Sequence, residues 1–211
     1  LHLSLRRQRQ MCIRDRLNSI DIAIANMLYH PIAQSLLIPL TVSFLFSFLN
    51  PSHEEAVFEA LVDLPGKPFI SLSSRILPEF REYERTSTVV VNSYVGQIMA
   101  RYLGELESAL GQRLRIMQSS GGSITSRLAS EQPVRTVLSG PAGGVVGAFY
   151  TGVQSGFPDI ITLDMGGTST DVSLCPGQIK ETTGHTVGGY PVSVPMIDIH
   201  TAVSYTHLRA H

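Results

Sequence analysis

Apolar and polar positions along the chain divide it into short strands and amphipathic helices in alternating order. Ser19 to Leu28 is largely apolar with Asp21 near its start, a helix that Pro31 would interrupt. Leu36 to Leu49 is the most apolar run, and within it Val42 to Leu49 is expected as a strand buried on both faces. Asn50 can cap the helix that follows, with Pro51 at its first position and Glu54 and Glu55 in the turn where the dipole favours anions. Val57, Ala60 and Leu61 give that helix a core side, and it stops before Pro65-Gly66. Phe69 to Leu72 completes a strand, helix, strand order, the sign of an α/β layer. Val89 to Leu110 has the spacing of a long amphipathic helix, with Val91, Val95, Ile98, Tyr102, Leu103, Leu106 and Leu110 near one side. Gly96 and Gly104 each weaken it by about 1 kcal/mol relative to alanine, and Gly111 stops it.

Beyond that helix the elements shorten. Leu114 to Gln118 is a strand candidate running into Ser119-Ser120-Gly121-Gly122, a loop suited equally to backbone contact with a phosphate or substrate and to an ordinary turn. Ile124 to Ala129 is a short helix candidate, and Val145 to Gln154 a longer one. Between them Ser139-Gly140-Pro141-Ala142-Gly143-Gly144 allows close backbone approach, either to another helix or to phosphate at a helix start. Ile160-Ile161-Thr162-Leu163 and Val172-Ser173-Leu174 read as strands. Pro176-Gly177 is a turn, Ile179 to Val187 a polar strand or loop, and Pro191 to Pro195 an alternating strand.

The stretch joining the two strands carries the chemistry. Asp164-Met165-Gly166-Gly167-Thr168-Ser169-Thr170-Asp171 ends one strand in an acid, turns through two glycines and returns through hydroxyls. Glycines without a Cβ can take positive φ and bring N–H groups close to phosphate oxygens, and Thr168, Ser169 and Thr170 add hydroxyl donors. Asp164 and Asp171 would repel bare phosphate unless a cation lay between, which points to a magnesium nucleotide held by one or two carboxylates and the phosphates. A tight Gly-Gly hairpin with solvated hydroxyls is the alternative. Asp198 and His200 alternate with Ile197 and Ile199, so they share one face of a strand. They can ligate a cation, act as an acid and base pair, or form a structural hydrogen-bonded pair, the favoured reading. His53 has no second ligand at helical spacing and reads as a solvated helix-start residue.

Composition narrows the classes further. Of 211 residues, 43% are hydrophobic and 16% charged, a globular balance, and the formal net charge is −1. Arg6, Arg7, Arg9, Arg14 and Arg16 crowd the start, leaving a mildly acidic body with no nucleic-acid footprint. Cys12 and Cys175 offer neither a disulfide framework nor zinc spacing, so a reducing cytosol is expected and Cys175 reads as a small packed apolar group. The Leu36 to Leu49 run is shorter than a span of about 20 apolar residues and contains Pro39, so no membrane crossing is expected there. No dinucleotide or Walker fingerprint is present. Residues 1–16 and 202–211 resemble translated sequencing-adapter peptide and are set aside from fold reasoning. For the start, a basic nucleic-acid arm and a transit peptide are the alternatives. Its Arg-rich composition suits a transit peptide, but it lacks a clear amphipathic period and a signal peptide's apolar core.

Taken together, the motifs resemble a known family. Asp164 to Asp171 is similar to the second phosphate-binding hairpin of the actin, sugar-kinase and heat-shock ATPase superfamily, and its wording matches the hydantoinase A/5-oxoprolinase group, which includes ketone carboxylase subunits. The resemblance continues through Leu77 to Thr88, Met117 to Gly122, Leu138 to Gly144, Gly188-Gly189-Tyr190-Pro191 and Asp198-Ile199-His200-Thr201. Ser120 departs from it where relatives usually carry asparagine. It implies an α/β fragment of an actin-like, ribonuclease H-like two-lobed ATPase fold: 17–138 the end of the first lobe, 139–156 a connector helix, 157–201 the start of the second lobe. It implies a cytoplasmic parent that phosphorylates the carbonyl oxygen of a cyclic amide such as 5-oxoproline or hydantoin, or of a ketone, with ATP and Mg²⁺. A hydantoinase B-type partner subunit or domain would complete the reaction. Asp164 would hold Mg²⁺, with Asp198 and His200 as further candidate ligands. Gly166, Gly167, Thr168, Ser169 and Thr170 would cradle phosphate with Ser139 and Gly140, and Asp171 would hold the cation or order the hydroxyls. Arg81, Glu82 and Arg85 fall near the substrate cleft of the family, although their dense charge alternation also suits a solvated surface.

The superfamily's earlier phosphate hairpin and later adenosine segment are not visible in these 211 residues. Isothermal titration of this chain is therefore expected to show no ATP binding tighter than millimolar, and a micromolar constant would contradict that expectation.

Overall fold

The computed structural model describes residues 39–64, 68–111, 113–167 and 169–202. The helix expected over Ser19 to Leu28, both adapter-like ends and Thr168 lie outside the described residues. The first unit is a parallel pair, β1 (Leu40–Val42) and β2 (Ile70–Leu72), joined by helix α1 (Ser52–Leu61). Val42, Val57, Leu61 and Leu72 form its core. Short α2 (Ser73–Ile76) leads to the 29-residue α3 (Glu82–Leu110). A hairpin of β3 (Arg115–Met117) and β4 (Ser123–Thr125), then α4 (Ser126–Glu131) and a 3-10 turn (Pro133–Thr136), lead to α5 (Ser139–Gln154).

The remainder is antiparallel. Strands β5 (Asp159–Met165), β6 (Thr170–Pro176) and β11 (His200–Ala202) make a three-stranded sheet with β6 in the middle. Between β6 and β11, β7 (Glu181–Thr182) pairs with β10 (Met196–Ile197), and β8 (His185–Val187) with β9 (Tyr190–Val192). The β8–β9 turn places Gly188 and Gly189 at φ 58° and 89°, the left-handed pair that a two-residue hairpin requires. Val192, Val194 and Met196 then pack onto Ile76, Val89 and Val134, so the late segment returns to α3.

Two expectations are corrected. The strand forecast over Val42 to Leu49 ends at Val42; Phe44, Leu45, Phe46 and Leu49 are exposed, and Phe46 takes a left-handed φ of 60°. Hydrogen bonds turn the chain there: Phe44 N donates to Glu54 Oε1 at 2.8 Å, and Arg85 Nη2 donates to the Phe44 carbonyl at 2.8 Å. The second concerns α3, whose expected apolar side is not the buried one. Ile98, Tyr102 and Leu110 are exposed, whereas Arg85, Thr88, Asn92, Ser93 and Gly96 face inward with Val89 and Leu103. Asn92 and Ser93 are satisfied across elements, whereas Arg85 Nε is buried without a hydrogen-bond partner among the described residues. Thr41 Oγ1 donates to Ser93 Oγ at 2.8 Å, Asn92 Nδ2 to Ser71 Oγ at 2.9 Å, and Val134 N to Asn92 Oδ1 at 3.1 Å. Gly96 is small for a reason of its own: a Cβ there would lie 2.2 Å from the Phe69 ring.

Glu54 is fully buried at the start of α1, where it accepts from Phe44 N, Ser73 Oγ (2.7 Å) and Ser74 N (2.8 Å). Burial opposes its charge, but the Ser73, Ser74 and Phe44 donors outweigh that and hold its carboxyl below the ordinary value of 4.5. A depressed folded pKa contributes stability above the unfolded value, and that contribution is lost as pH falls through the folded one. Replacing Glu54 by glutamine is expected to cost about 1–3 kcal/mol at pH 7. In urea melts the gap to the parent chain should close as pH falls below 4.5; a gap unchanged down to pH of about 2 would mean that the carboxylate charge is not what these donors hold.

Candidate functional site

The β5–β6 register builds the site. Asp164 pairs directly with Asp171, Thr162 with Ser173 and Ile160 with Cys175, and cross-strand partners project from the same face of a sheet. That face packs on α5, because Ile160, Cys175 and Ile199 join Ala142, Val145 and Phe149 in one apolar cluster. Cys175 is wholly buried there, as its reading as a packed apolar group required. The strands are therefore apolar and anchored at one end and carboxylate-bearing at the other. Between α5 and that charged end lies a crevice of about 200 Å³, walled by Pro141, Gly144, Val145 and Ala148 on the helix and by residues 162–164 and Asp171 on the strands. A Cβ on Gly144 would sit 3.6 Å from Asp164 Oδ2, so helix backbone and carboxylate face each other without an intervening side chain.

Helix α5 begins earlier than its apolar pattern suggests. Ser139 to Gly144 forms its first turns, and Leu138 enters in the left-handed region at φ 63°. Pro141 is tolerated because first-turn N–H groups have no intrahelical acceptor. Ser139 and Gly140 thus stand at the positive end of the helix, in the turn that leads to the crevice wall. The Ser119 to Gly122 loop is the tight turn of β3 and β4. Its Ser119 is buried, with N donating to the Arg135 carbonyl at 2.7 Å and the single Oγ proton shared between that carbonyl, also at 2.7 Å, and that of Val137. Gly121 combines φ 85° with a Cβ position 2.8 Å from Val146 and 2.9 Å from Ile197, so no larger residue fits.

In the connecting loop, Gly166 N donates to Ser169 O at 3.0 Å. Gly166 and Gly167 both lie outside the left-handed region, a correction to the reason expected for them. What they supply is open space: a Cβ on Gly167 would meet nothing within 4 Å. Thr170 is buried and Ser169 half-buried.

Asp198 and His200 share a face as their alternation requires, with His200 Nε2 3.9 Å from Asp198 Oδ1. It is the other face of the sheet. Ile199 enters the α5 cluster and Thr201 Oγ1 donates to Asp171 Oδ1 at 2.6 Å, so their neighbours in sequence project outward. The structure therefore does not bring Asp198 and His200 to Asp164, and among the described residues no three His, Cys, Asp or Glu side chains gather as a metal cluster. Arg81 and Glu82 are exposed, while Arg85 is buried, with Nη1 on the Glu79 carbonyl at 2.6 Å and its guanidinium 5.5 Å from the Phe48 ring centre. Thr201 is the residue that the local pattern missed, because its partner lies 30 positions away on another strand. No described helix is long and apolar enough to cross a membrane.

Comparison with known proteins adds the following. A family model described as hydantoinase/oxoprolinase matches residues 85–208. 5-oxoprolinase 1 of Arabidopsis thaliana is 35% identical over 173 residues, 78% of this chain and 13% of that protein. The nucleotide-free structure of acetone carboxylase, from a study of ATP-dependent acetone carboxylation, superposes with a TM-score of 0.69 at 28% identity, covering 78% of this chain and 24% of that one. The ATP-dependent caprolactamase of Pseudomonas jessenii does so at 0.66 and 32% identity, covering 77% and 25%. The chain thus spans about a quarter or less of the length of these relatives, and the α/β fold expected from its sequence is the one it shares with the two solved enzymes.

Like charges directly opposed across a ladder destabilise it, by roughly 0.2–1 kcal/mol. In a metal-free buffer Asp164→Asn is therefore expected to raise stability in denaturant melts by about that much, and millimolar Mg²⁺ should narrow the gap by stabilising the parent chain. A loss of stability on substitution would show that the two carboxylates do not oppose each other.

Proposed function

Because the chain belongs to the hydantoinase/oxoprolinase family, we propose that it is part of an ATP-dependent enzyme that opens a cyclic amide, and that the crevice between α5 and the β5–β6 hairpin is its phosphate and metal site. The observation that carries this reading is the placement of Asp164 opposite Asp171 at the mouth of an open crevice, beside glycines that leave room for a ligand. Oxygen donors of that kind suit a hard cation such as Mg²⁺ and do not suit a thiolate-seeking metal. When bound, a magnesium nucleotide would supply the phosphoryl group that, placed on the substrate's carbonyl oxygen, activates the carbonyl carbon toward attack.

The protein's own part is positioning and charge. Asp164 and Asp171 hold the cation, directly or through water, and their mutual repulsion favours its capture. Gly166 and Gly167 let phosphate oxygens approach the backbone, and Thr168 and Ser169 offer hydroxyl donors, while Thr170, buried and next to Asp171 on β6, projects from the opposite face and is left out. Ser139 and Gly140, in the first turn of α5, present N–H groups and the positive end of the helix dipole to the same anion. Asp198 and His200 are left out of this set because they project from the opposite face. A hydantoinase B-type partner subunit and a cytosolic setting complete the proposal. Caprolactamase alpha and acetone carboxylase beta are both named as subunits, which supports a partner. Phosphorylation of a ketone for carboxylation is the second reading, supported by the likeness to acetone carboxylase in fold and sequence.

Asp164→Asn in a full-length version carrying this segment is expected to reduce ATP turnover by at least about 10²-fold while its far-UV spectrum stays unchanged and its unfolding midpoint does not fall. Turnover within about twofold of the parent enzyme would remove Asp164 from the site. Assaying the same enzyme with cyclic amides and with ketones plus bicarbonate separates the two readings.

A further inference from the structure

We infer that Thr201 is a positioning residue for Asp171, fixing which oxygen of that carboxylate is presented to a cation in the crevice; this rests on the metal site proposed above. Asp171 stands on the central strand between two unlike neighbours. On β5 it faces Asp164, which when ionised can donate nothing. On β11 it faces Thr201, whose hydroxyl must be the donor in the 2.6 Å contact, since an ionised carboxylate only accepts. That length is in the range of a charge-assisted O–H to carboxylate bond. It ties Oδ1 toward β11 and leaves Oδ2 as the oxygen for the crevice that Asp171 lines.

The chain leading into β11 is built to deliver that hydroxyl at a fixed height. Ile199, two residues earlier on the same face, is locked into the α5 cluster, and Ser173 Oγ donates to the Asp198 carbonyl at 2.8 Å. A β-branched side chain restricts χ1, so threonine holds its hydroxyl with less freedom than serine would. Partners that orient a ligating carboxylate typically matter by about 10–100-fold in metal affinity.

Manganese(II) serves as the spin probe for the hard-cation site, titrated into the 211-residue chain without nucleotide and followed by electron paramagnetic resonance, with unfolding midpoints measured in parallel. Thr201→Val, which keeps the shape and removes the hydroxyl, is expected to weaken manganese binding by about 10-fold with an unchanged midpoint. Thr201→Ser should restore it to within about threefold of the parent chain, and Asp171→Asn should abolish saturable binding. Parental affinity in Thr201→Val, with binding lost in Asp171→Asn, overturns the role of Thr201 and leaves the metal site standing. Weakened binding that Thr201→Ser does not restore, accompanied by a lowered midpoint, also overturns it, because the residue is then structural. No saturable binding in the parent chain, or parental binding in Asp171→Asn, removes the metal site itself.

Discussion

Two carboxylates held face to face across an antiparallel ladder would push a free hairpin apart, and the second half of this chain is arranged so that they cannot. The strands that carry Asp164 and Asp171 at one end carry half-buried Ile160 and wholly buried Cys175 at the other, on the same face and packed against the cluster of Val145, Ile197 and Ile199 under α5. Burying an aliphatic side chain such as Val145 or Ile197 is worth about 1.5–3 kcal/mol, more than the roughly 1 kcal/mol that an opposed pair of like charges costs. The register is fixed by the apolar end and imposed on the charged end. A slip of one residue would turn both the buried residues and the carboxylates to the wrong face, so anchoring and site geometry are one constraint.

Helix α5 converts that constraint into a crevice. Its buried side, Ala142 and Val145, lies on the sheet, while Gly144 and Ala148 leave the adjoining surface low enough for a cleft to remain beside Asp164. The β3–β4 turn holds the helix from behind: Ser119 takes the carbonyls just before it, and Gly121 closes against Val146 on the helix and Ile197 beyond the sheet. Ile197 N also donates to the Ser119 carbonyl at 2.8 Å. Turn, helix and hairpin therefore form one packed body, and the crevice is set by contacts on three elements.

Much of this arrangement is legible locally. The α/β order, the Asn50-Pro51 helix start, the Gly111 stop, the 160s hairpin and the buried state of Cys175 all follow from patterns within ten residues of one another. What the local pattern could not show depends on partners far along the chain. An apolar run such as residues 42–49 reads as a strand until Glu54 and Arg85 take the N–H and carbonyl of Phe44 and bend it. The glycines Gly166 and Gly167 were legible as permissive, but whether they supply a turn or open space is decided by the loop itself. Asp198 and His200 were correctly placed on a common face, yet which face depends on the pairing of β11 with β6, a contact that no local period encodes.

The long helix α3 carries that lesson furthest. Hydrophobic periodicity assigns its buried side on the premise that burial is paid for by apolar contact. Here Thr88, Asn92 and Ser93 are buried instead, each bonded to a different element: Ser193 N donates to Thr88 Oγ1 at 3.0 Å, Asn92 reaches Ser71 and Val134, and Ser93 reaches Thr41. Directional bonds of this sort tolerate little rotation or sliding, whereas an apolar stripe accepts several registers. Because Val192, Val194 and Met196 return to the same helix, its fixed register also fixes the segment leading into β11. The polar inward face of α3 and the placement of Thr201 beside Asp171 are thus successive steps in one chain of packing, from the parallel strands at the start to the carboxylates of the crevice.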